Sequence, residues 1–121
     1  MSNFVNECMA AIMADNDAKT LADIQRSSYK YTSAGIAVHF GLSDGTFLWN
    51  GDQGARDESS VKKVVKIGFS SIIEGSDAEV PTQWLDLSQM PTTEKAVEEF
   101  NRLESYVNEW ACELYDEVHE E

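Results

Sequence analysis

The chain has 121 residues, a formal net charge of −13 and a hydrophobic content of 42%. This length fits a single domain, residues 1–121, and the apolar content excludes a disordered acidic protein because it is sufficient to build a core. The negative charge argues against direct binding to nucleic acid or to an anionic membrane, since both are polyanions. The partners that such a surface attracts are basic proteins or cations.

The cysteines and the first residues bear on the cellular location. Cys8 and Cys112 are the only cysteines, too few for a disulfide framework, so we expect reduced thiols. The segment from Met1 to Phe4 has neither the basic nor the apolar region of a secretory signal. No apolar run approaches the roughly 20 residues that span a bilayer. The sequence therefore predicts a soluble cytoplasmic protein, located in the host-cell cytoplasm if the protein is viral.

Two short helices are predicted at the start of the chain. Apolar residues recur at three- and four-residue steps over residues 4–13, which is the period of an amphipathic helix. A second helix is predicted over residues 19–27. Asp17 or Thr20 could cap it, and Thr20 with Asp23, three positions further on, fits a capping box.

Four extended segments follow, and they predict an antiparallel meander. Apolar residues alternate over residues 36–42, and the turn residues 43–45 lead into a second strand over residues 46–49. An exposed loop is predicted up to Ser60. The third strand is predicted over residues 61–73 and the fourth over residues 78–87. Pro81 limits the fourth strand to an edge or a bulge because it lacks a backbone N–H.

A long helix is predicted from about Glu94 onward, with Thr92 or Thr93 as its N-cap. Its apolar positions alternate at steps of four and three residues: Ala96, Phe100, Leu103, Val107, Trp110 and Leu114. We expect this stripe to lie across the sheet, and the alternative is a self-association seam that would give a homodimer. Grouped strands flanked by helices predict an α+β fold: two short N-terminal helices, a four-stranded antiparallel meander and a long acidic C-terminal helix packed on the sheet.

The charge on this last segment is the most informative feature of the sequence. The last 28 residues hold ten acidic side chains and only two basic ones, Lys95 and Arg102, a local net charge of −8 out of −13. Acids near the carbonyl end of a helix, and pairs of acids four residues apart, are both unfavourable. This cost indicates that a partner outside the fold uses the charge. The predicted partner-binding residues are Glu98, Glu99, Glu104, Glu109, Glu113, Asp116 and Glu117.

Groups for catalysis or for metal binding are few. His39, predicted as a partly exposed strand residue, and His119, predicted as solvent-exposed, are the only histidines. The sequence contains no Cys-x-x-Cys, His-x-x-x-His or Glu-x-x-His motif and no phosphate-binding glycine loop. We therefore predict no enzyme activity, no cofactor and no metal site.

Three functions remain open. In size and composition the chain resembles the small acidic DNA-mimic, anti-restriction and anti-CRISPR proteins that phages encode. This resemblance implies an inhibitor that offers carboxylates to a basic nucleic-acid-binding protein, whose groove normally receives phosphates. The alternative is an acidic adaptor or immunity-type subunit, which would expose an apolar patch rimmed by charge. The third hypothesis is a protein that sequesters a nucleotide signal, with Trp49, Trp84, Lys62 and Lys66 as candidate lining.

Overall fold

A computed structural model describes residues 3–27, 35–48 and 58–120 of the chain. The helices and strands in these ranges are α1 (Asn3–Asp15), α2 (Leu21–Ser27), β1 (Ala37–Leu42), β2 (Phe47–Leu48), α3 (Glu58–Val61), β3 (Val64–Ile72), β4 (Glu79–Asp86) and α4 (Thr93–His119). A 3-10 turn, Leu87–Gln89, joins β4 to the segment that leads into α4. The predicted α+β class is confirmed, with four antiparallel strands in one sheet.

The order of the strands differs from the predicted meander. The strands lie in the order β2-β1-β3-β4, so β3 pairs with β1 and not with β2, the strand that precedes it in the chain. Among the described residues, β2 pairs through two positions, Phe40 with Leu48 and Gly41 with Phe47. Because the chain between β2 and β3 is long, β3 can return to the free side of β1, which offers a longer pairing edge.

Strand limits also differ from those predicted. The third strand starts at Val64, and the segment before it forms the helical turn α3, where a strand start and an exposed loop were predicted. The remainder of the predicted loop, residues 50–57, lies outside the described residues, as does Trp49, the last residue of the predicted second strand. β4 agrees with its prediction. Pro81 is exposed, β3 is the one described strand that pairs with β4, and the register between the two strands shifts between Phe69 and Ser71.

One face of the sheet carries the core. α1 packs against α4, and both helices cover β3. The rings of Phe69 on β3 and Phe100 on α4 meet edge-on with their centroids 5.2 Å apart. The apolar stripe of α4 is therefore buried against the sheet of the same chain, as predicted.

The helix starts follow their predicted capping. The backbone N–H of Thr20 donates to Asp23 Oδ2 (3.0 Å), and the backbone N–H of Asp23 donates to Thr20 Oγ1 (3.2 Å), which is a reciprocal capping box. Thr92, the predicted N-cap of α4, accepts from the backbone N–H of Lys95 at 3.0 Å. These hydrogen bonds satisfy N–H groups that a helix leaves unpaired at its start.

Candidate partner-binding site

The packing of α4 determines which of its side chains face outward. Ala96, Phe100, Val107 and Ala111 are buried on the side that meets α1 and the sheet. Since residues three and four apart share one side of a helix, most acids of α4 are turned toward solvent, and Glu99 and Glu104 at the margin are half-buried. The structure thus holds the predicted acidic residues on a helix of 27 residues that is fixed by its apolar stripe.

The acids in the first half of α4 have basic partners within the same helix. Lys95 Nζ lies 3.0 Å from Glu98 Oε1 and 3.7 Å from Glu99 Oε1. Arg102 Nε donates to Glu99 Oε2, and this hydrogen bond lowers the pKa of Glu99. Two of the seven predicted site residues are therefore already neutralised by the protein itself, and a third, Glu104, is half-buried.

The second half of α4 is different, and we call its exposed acids the acidic end: Glu109, Glu113, Asp116, Glu117 and Glu120. Among the ion pairs of residues 3–27, 35–48 and 58–120, none involves a member of the acidic end. Glu109, Glu113 and Glu117 follow one another at four-residue steps, so their like charges repel without compensation. Four of the seven predicted residues thus belong to a group whose charge is turned outward.

An aromatic pair adjoins the acidic end. Tyr106 and Trp110, with ring centroids 5.9 Å apart, line a shallow cavity of about 300 Å³ together with Glu109 and Glu113. Tyr106 is 49% exposed, which is high for an aromatic residue of a helix that packs on a core. We call these four residues the aromatic niche. Sequence reasoning placed Trp110 in the apolar stripe and did not identify this niche, because the helical period does not distinguish the centre of a stripe from its margin.

A second group of exposed apolar side chains lies on the sheet face opposite to the core. Phe47 and Trp84 are 48% and 39% exposed, and their ring centroids are 5.7 Å apart. Lys66 Nζ lies over both rings, 4.4 Å from the centroid of Trp84 and 5.5 Å from that of Phe47. Strand pairing explains the grouping, since Gly41 is the register partner of both Phe47 and Lys66. We call Phe47, Lys66 and Trp84 the sheet-face cluster.

Only part of the predicted nucleotide-binding set comes together. Lys66 and Trp84 are in contact, whereas Lys62 lines a cavity beside α1. Trp49 lies outside the described residues. β3 lies between β1 and β4, so Lys66 belongs to an interior strand of the sheet.

The two histidines differ in their surroundings. His119 is exposed, as predicted, and its Nε2 atom lies 3.1 Å from the carbonyl oxygen of Glu74. The expectation for His39 was wrong: it is buried, with 6% of its surface exposed, because it lies beside Ser70 and Trp84 on neighbouring strands. Desolvation by burial lowers the pKa of His39.

No helix in the described ranges combines the length and the apolar character that a membrane crossing needs. Within the same ranges, no three side chains of His, Cys, Asp or Glu converge as metal ligands. Comparison with protein-family models, with curated proteins and with solved structures gave no match.

Proposed function

We propose that this protein is an inhibitor that binds a basic nucleic-acid-binding protein through the acidic end of α4, in the place of the nucleic acid. The observation that carries the proposal is the division of α4 into two halves. Lys95 and Arg102 neutralise acids of the first half, while the acidic end has no basic partner in the described chain. Charge that the fold leaves uncompensated at a cost in stability is available to a cationic partner.

The spacing of the acidic end suits a partner that recognises phosphates. Four residues of α-helix rise by about 6 Å, so Glu109, Glu113 and Glu117 present one carboxylate per step of this length. Phosphates along one nucleic-acid strand are separated by a distance on the order of 6–7 Å, and a groove that binds them carries Lys and Arg at matching positions. A rigid helix then supplies anions without the cost of ordering a flexible tail.

The aromatic niche gives the site a preference for arginine. A guanidinium plane stacks on Tyr and Trp rings and donates in parallel to carboxylates, whereas an ammonium group does neither as well. Tyr106 and Trp110 supply the rings, and Glu109 and Glu113 supply the acceptors in the same cavity. We therefore place an arginine of the partner in this niche.

The test begins with identification of the partner. Immobilised protein captures binding proteins from cell extract in low and high salt, and the captured nucleic-acid-binding protein is then purified and studied by titration calorimetry. The variant Glu109→Gln, Glu113→Gln, Glu117→Gln is compared with Glu7→Gln, Glu74→Gln, Glu79→Gln. Both variants lose three exposed carboxylates, but the control lies outside α4.

We expect the α4 variant to bind at least about tenfold more weakly, equivalent to about 1.4 kcal/mol, and the control to bind like the unmodified protein. Cognate nucleic acid should compete with the unmodified protein for the partner. Equal loss in the two variants would reduce the effect to net charge and contradict the proposal. Binding that the nucleic acid does not displace would contradict it as well.

A second candidate function, a protein-interaction adaptor, is favoured by the sheet-face cluster. Two aromatic side chains and Ile72, which is 73% exposed on the same sheet face, form an apolar surface with charge beside it. For this function, Trp84→Ala should weaken partner binding more than the three changes in α4 do. The same calorimetric series therefore separates the two functions.

A further inference from the structure

A cavity of about 370 Å³ lies between α1, the turn before α2 and the end of α3. Ala10 and Met13 of α1 and Val61 of α3 give it an apolar wall. Lys19 and Lys62 also line it, one from each of the two chain segments that face α1. Its volume lies in the range of cavities that bind small molecules. No residue of α4 is among those that line it, so it is separate from the acidic end.

The charge at this cavity is opposite to that of the protein. Arg26, Lys95 and Arg102 form ion pairs, and Lys66 lies over the rings of the sheet-face cluster. In the described part of the chain, neither Lys19 nor Lys62 has its ammonium group in an ion pair. Within the described residues, the fold therefore brings two cations without an ion-pair partner to one apolar cavity, in a protein whose net charge is −13.

We propose that this cavity binds a small amphipathic organic anion, whose apolar body packs against Ala10, Met13 and Val61 and whose head group is held by Lys19 and Lys62. Burial of the apolar body is favourable in proportion to the apolar area that is removed from water. A charged head group receives charge-assisted hydrogen bonds from the ammonium groups. Carboxylates and phosphate monoesters share this chemistry.

The alternative is that the two lysines only cover apolar surface with their aliphatic stems and bind no ligand. This alternative predicts a different order of affinities. An apolar cavity that lysine stems merely cover should bind a neutral amphiphile at least as well as an anionic one, because the field of the whole protein repels anions. A preference for the anion over its neutral counterpart must therefore come from the two lysines.

Decanoate, decyl phosphate and decanol test this directly, since they share one alkyl chain and differ in the head group. Each is titrated into the isotopically labelled protein, below its aggregation concentration, while backbone amide shifts are recorded by NMR. We expect saturable shifts around Ala10, Met13 and Val61, with at least one of the two anions binding more tightly than decanol. Comparison of decanoate with decyl phosphate identifies which anionic head group the site prefers.

Matched variants test whether Lys19 and Lys62 cause the preference for the anion. Lys19→Gln combined with Lys62→Gln should weaken anion binding about tenfold, the loss of about 1.4 kcal/mol, and leave decanol binding unchanged. Lys63→Gln, a change at the exposed neighbour of Lys62 that does not line the cavity, should have less than about a twofold effect. All three lysines are exposed, so these variants should fold normally.

Absence of saturable binding, shifts confined to another surface, or decanol binding as tightly as both anions would each overturn the proposal. Equal effects of the double variant and Lys63→Gln would overturn it too. The cavity does not include α4, so neither a positive nor a negative result depends on the proposed inhibitor function.

Discussion

The Nε2 atom of His39 lies 2.7 Å from the Oγ atom of Ser70, across the pairing of β1 with β3. His39 pairs in register with Gly68 and Ala37 pairs with Ser70, so the two side chains are diagonal neighbours on one sheet face. The Trp84 ring, with its centroid 6.3 Å from that of His39, adds apolar surface beside the imidazole. This site holds an uncharged imidazole more readily than an imidazolium, which explains the direction of its pKa shift.

The lowered pKa of His39 predicts a stability that depends on pH. Because the unfolded chain binds the proton more tightly than the folded one, His39 contributes stability above the unfolded pKa of about 6.5. This contribution is lost as the pH falls through the lower folded pKa. His39→Gln, which keeps a polar side chain but does not titrate, should show a smaller loss of stability between about pH 7.5 and about pH 5.5. Urea unfolding at the two pH values measures the difference.

His119→Gln is the control for this experiment, since His119 is exposed. It removes one imidazole, as His39→Gln does, so the comparison separates the burial of His39 from the loss of a histidine as such. If His39→Gln loses as much stability on acidification as the unmodified protein does, burial of His39 is not the cause of the effect.

A methyl group at Gly68 should destabilise the sheet. A Cβ there would lie 2.6 Å from Thr82 Cγ2 and 2.7 Å from Trp84 Cε3, both far inside van der Waals contact. We expect Gly68→Ala to lower the free energy of unfolding by about 1–3 kcal/mol, because a β-branched side chain and a packed ring cannot both move away. Denaturant midpoints measured under identical conditions give this difference.

Gly41→Ala provides the comparison within the same sheet face. Its Cβ would lie 2.7 Å from carbon atoms of Lys66, but a lysine stem can rotate into solvent. We therefore expect a smaller loss than for Gly68→Ala, together with loss of the contact between Lys66 and Trp84. A larger loss at Gly41 would show that the lysine is held more firmly than its chemistry suggests.

The uncompensated acidic end predicts that removal of its charge stabilises the isolated protein. Glu109, Glu113 and Glu117 form two repulsive pairs four residues apart, near the negative end of the helix dipole. Changing all three to Gln should raise the free energy of unfolding by about 0.5–1 kcal/mol in low salt. The gain should shrink in about 1 M salt, where charges are screened over about 3 Å.

Removal of the charges of Glu98 and Glu99 should instead lower the free energy of unfolding. Both acids contact Lys95, and Glu99 also contacts Arg102. The pairs are partly exposed to solvent, so Glu98→Gln with Glu99→Gln should lower the free energy of unfolding only slightly. Stabilisation by this double change would contradict the division of α4 into a compensated and an uncompensated half.

The sequence was sufficient where local period and capping determine the structure. The stripe through Ala96, Phe100 and Val107 predicted the long helix and its buried side, and the Thr20–Asp23 spacing predicted a capping box. Strand order could not be read in this way, because the pairing of β3 with β1 is a long-range choice that no local pattern encodes. The burial of His39 and the contact between Lys66 and Trp84 depend on that pairing, so both were missed.

The sequence left the N-cap of α4 between Thr92 and Thr93, and the structure assigns it to Thr92. Thr92→Ala removes the acceptor for the backbone N–H of Lys95 and should cost about 1 kcal/mol. Thr93→Ala, inside the first turn, should change stability by less than about 0.5 kcal/mol because Ala is the better helix former. Thermal unfolding of the two variants side by side measures the difference in stability.

The acidic end begins about 25 Å further along the helix than Thr92, so Thr92→Ala should leave partner binding by the acidic end unchanged while the protein is folded. Equal costs at the two threonines, or weaker partner binding by the folded Thr92 variant, would mean that the start of α4 and its acidic end are not independent.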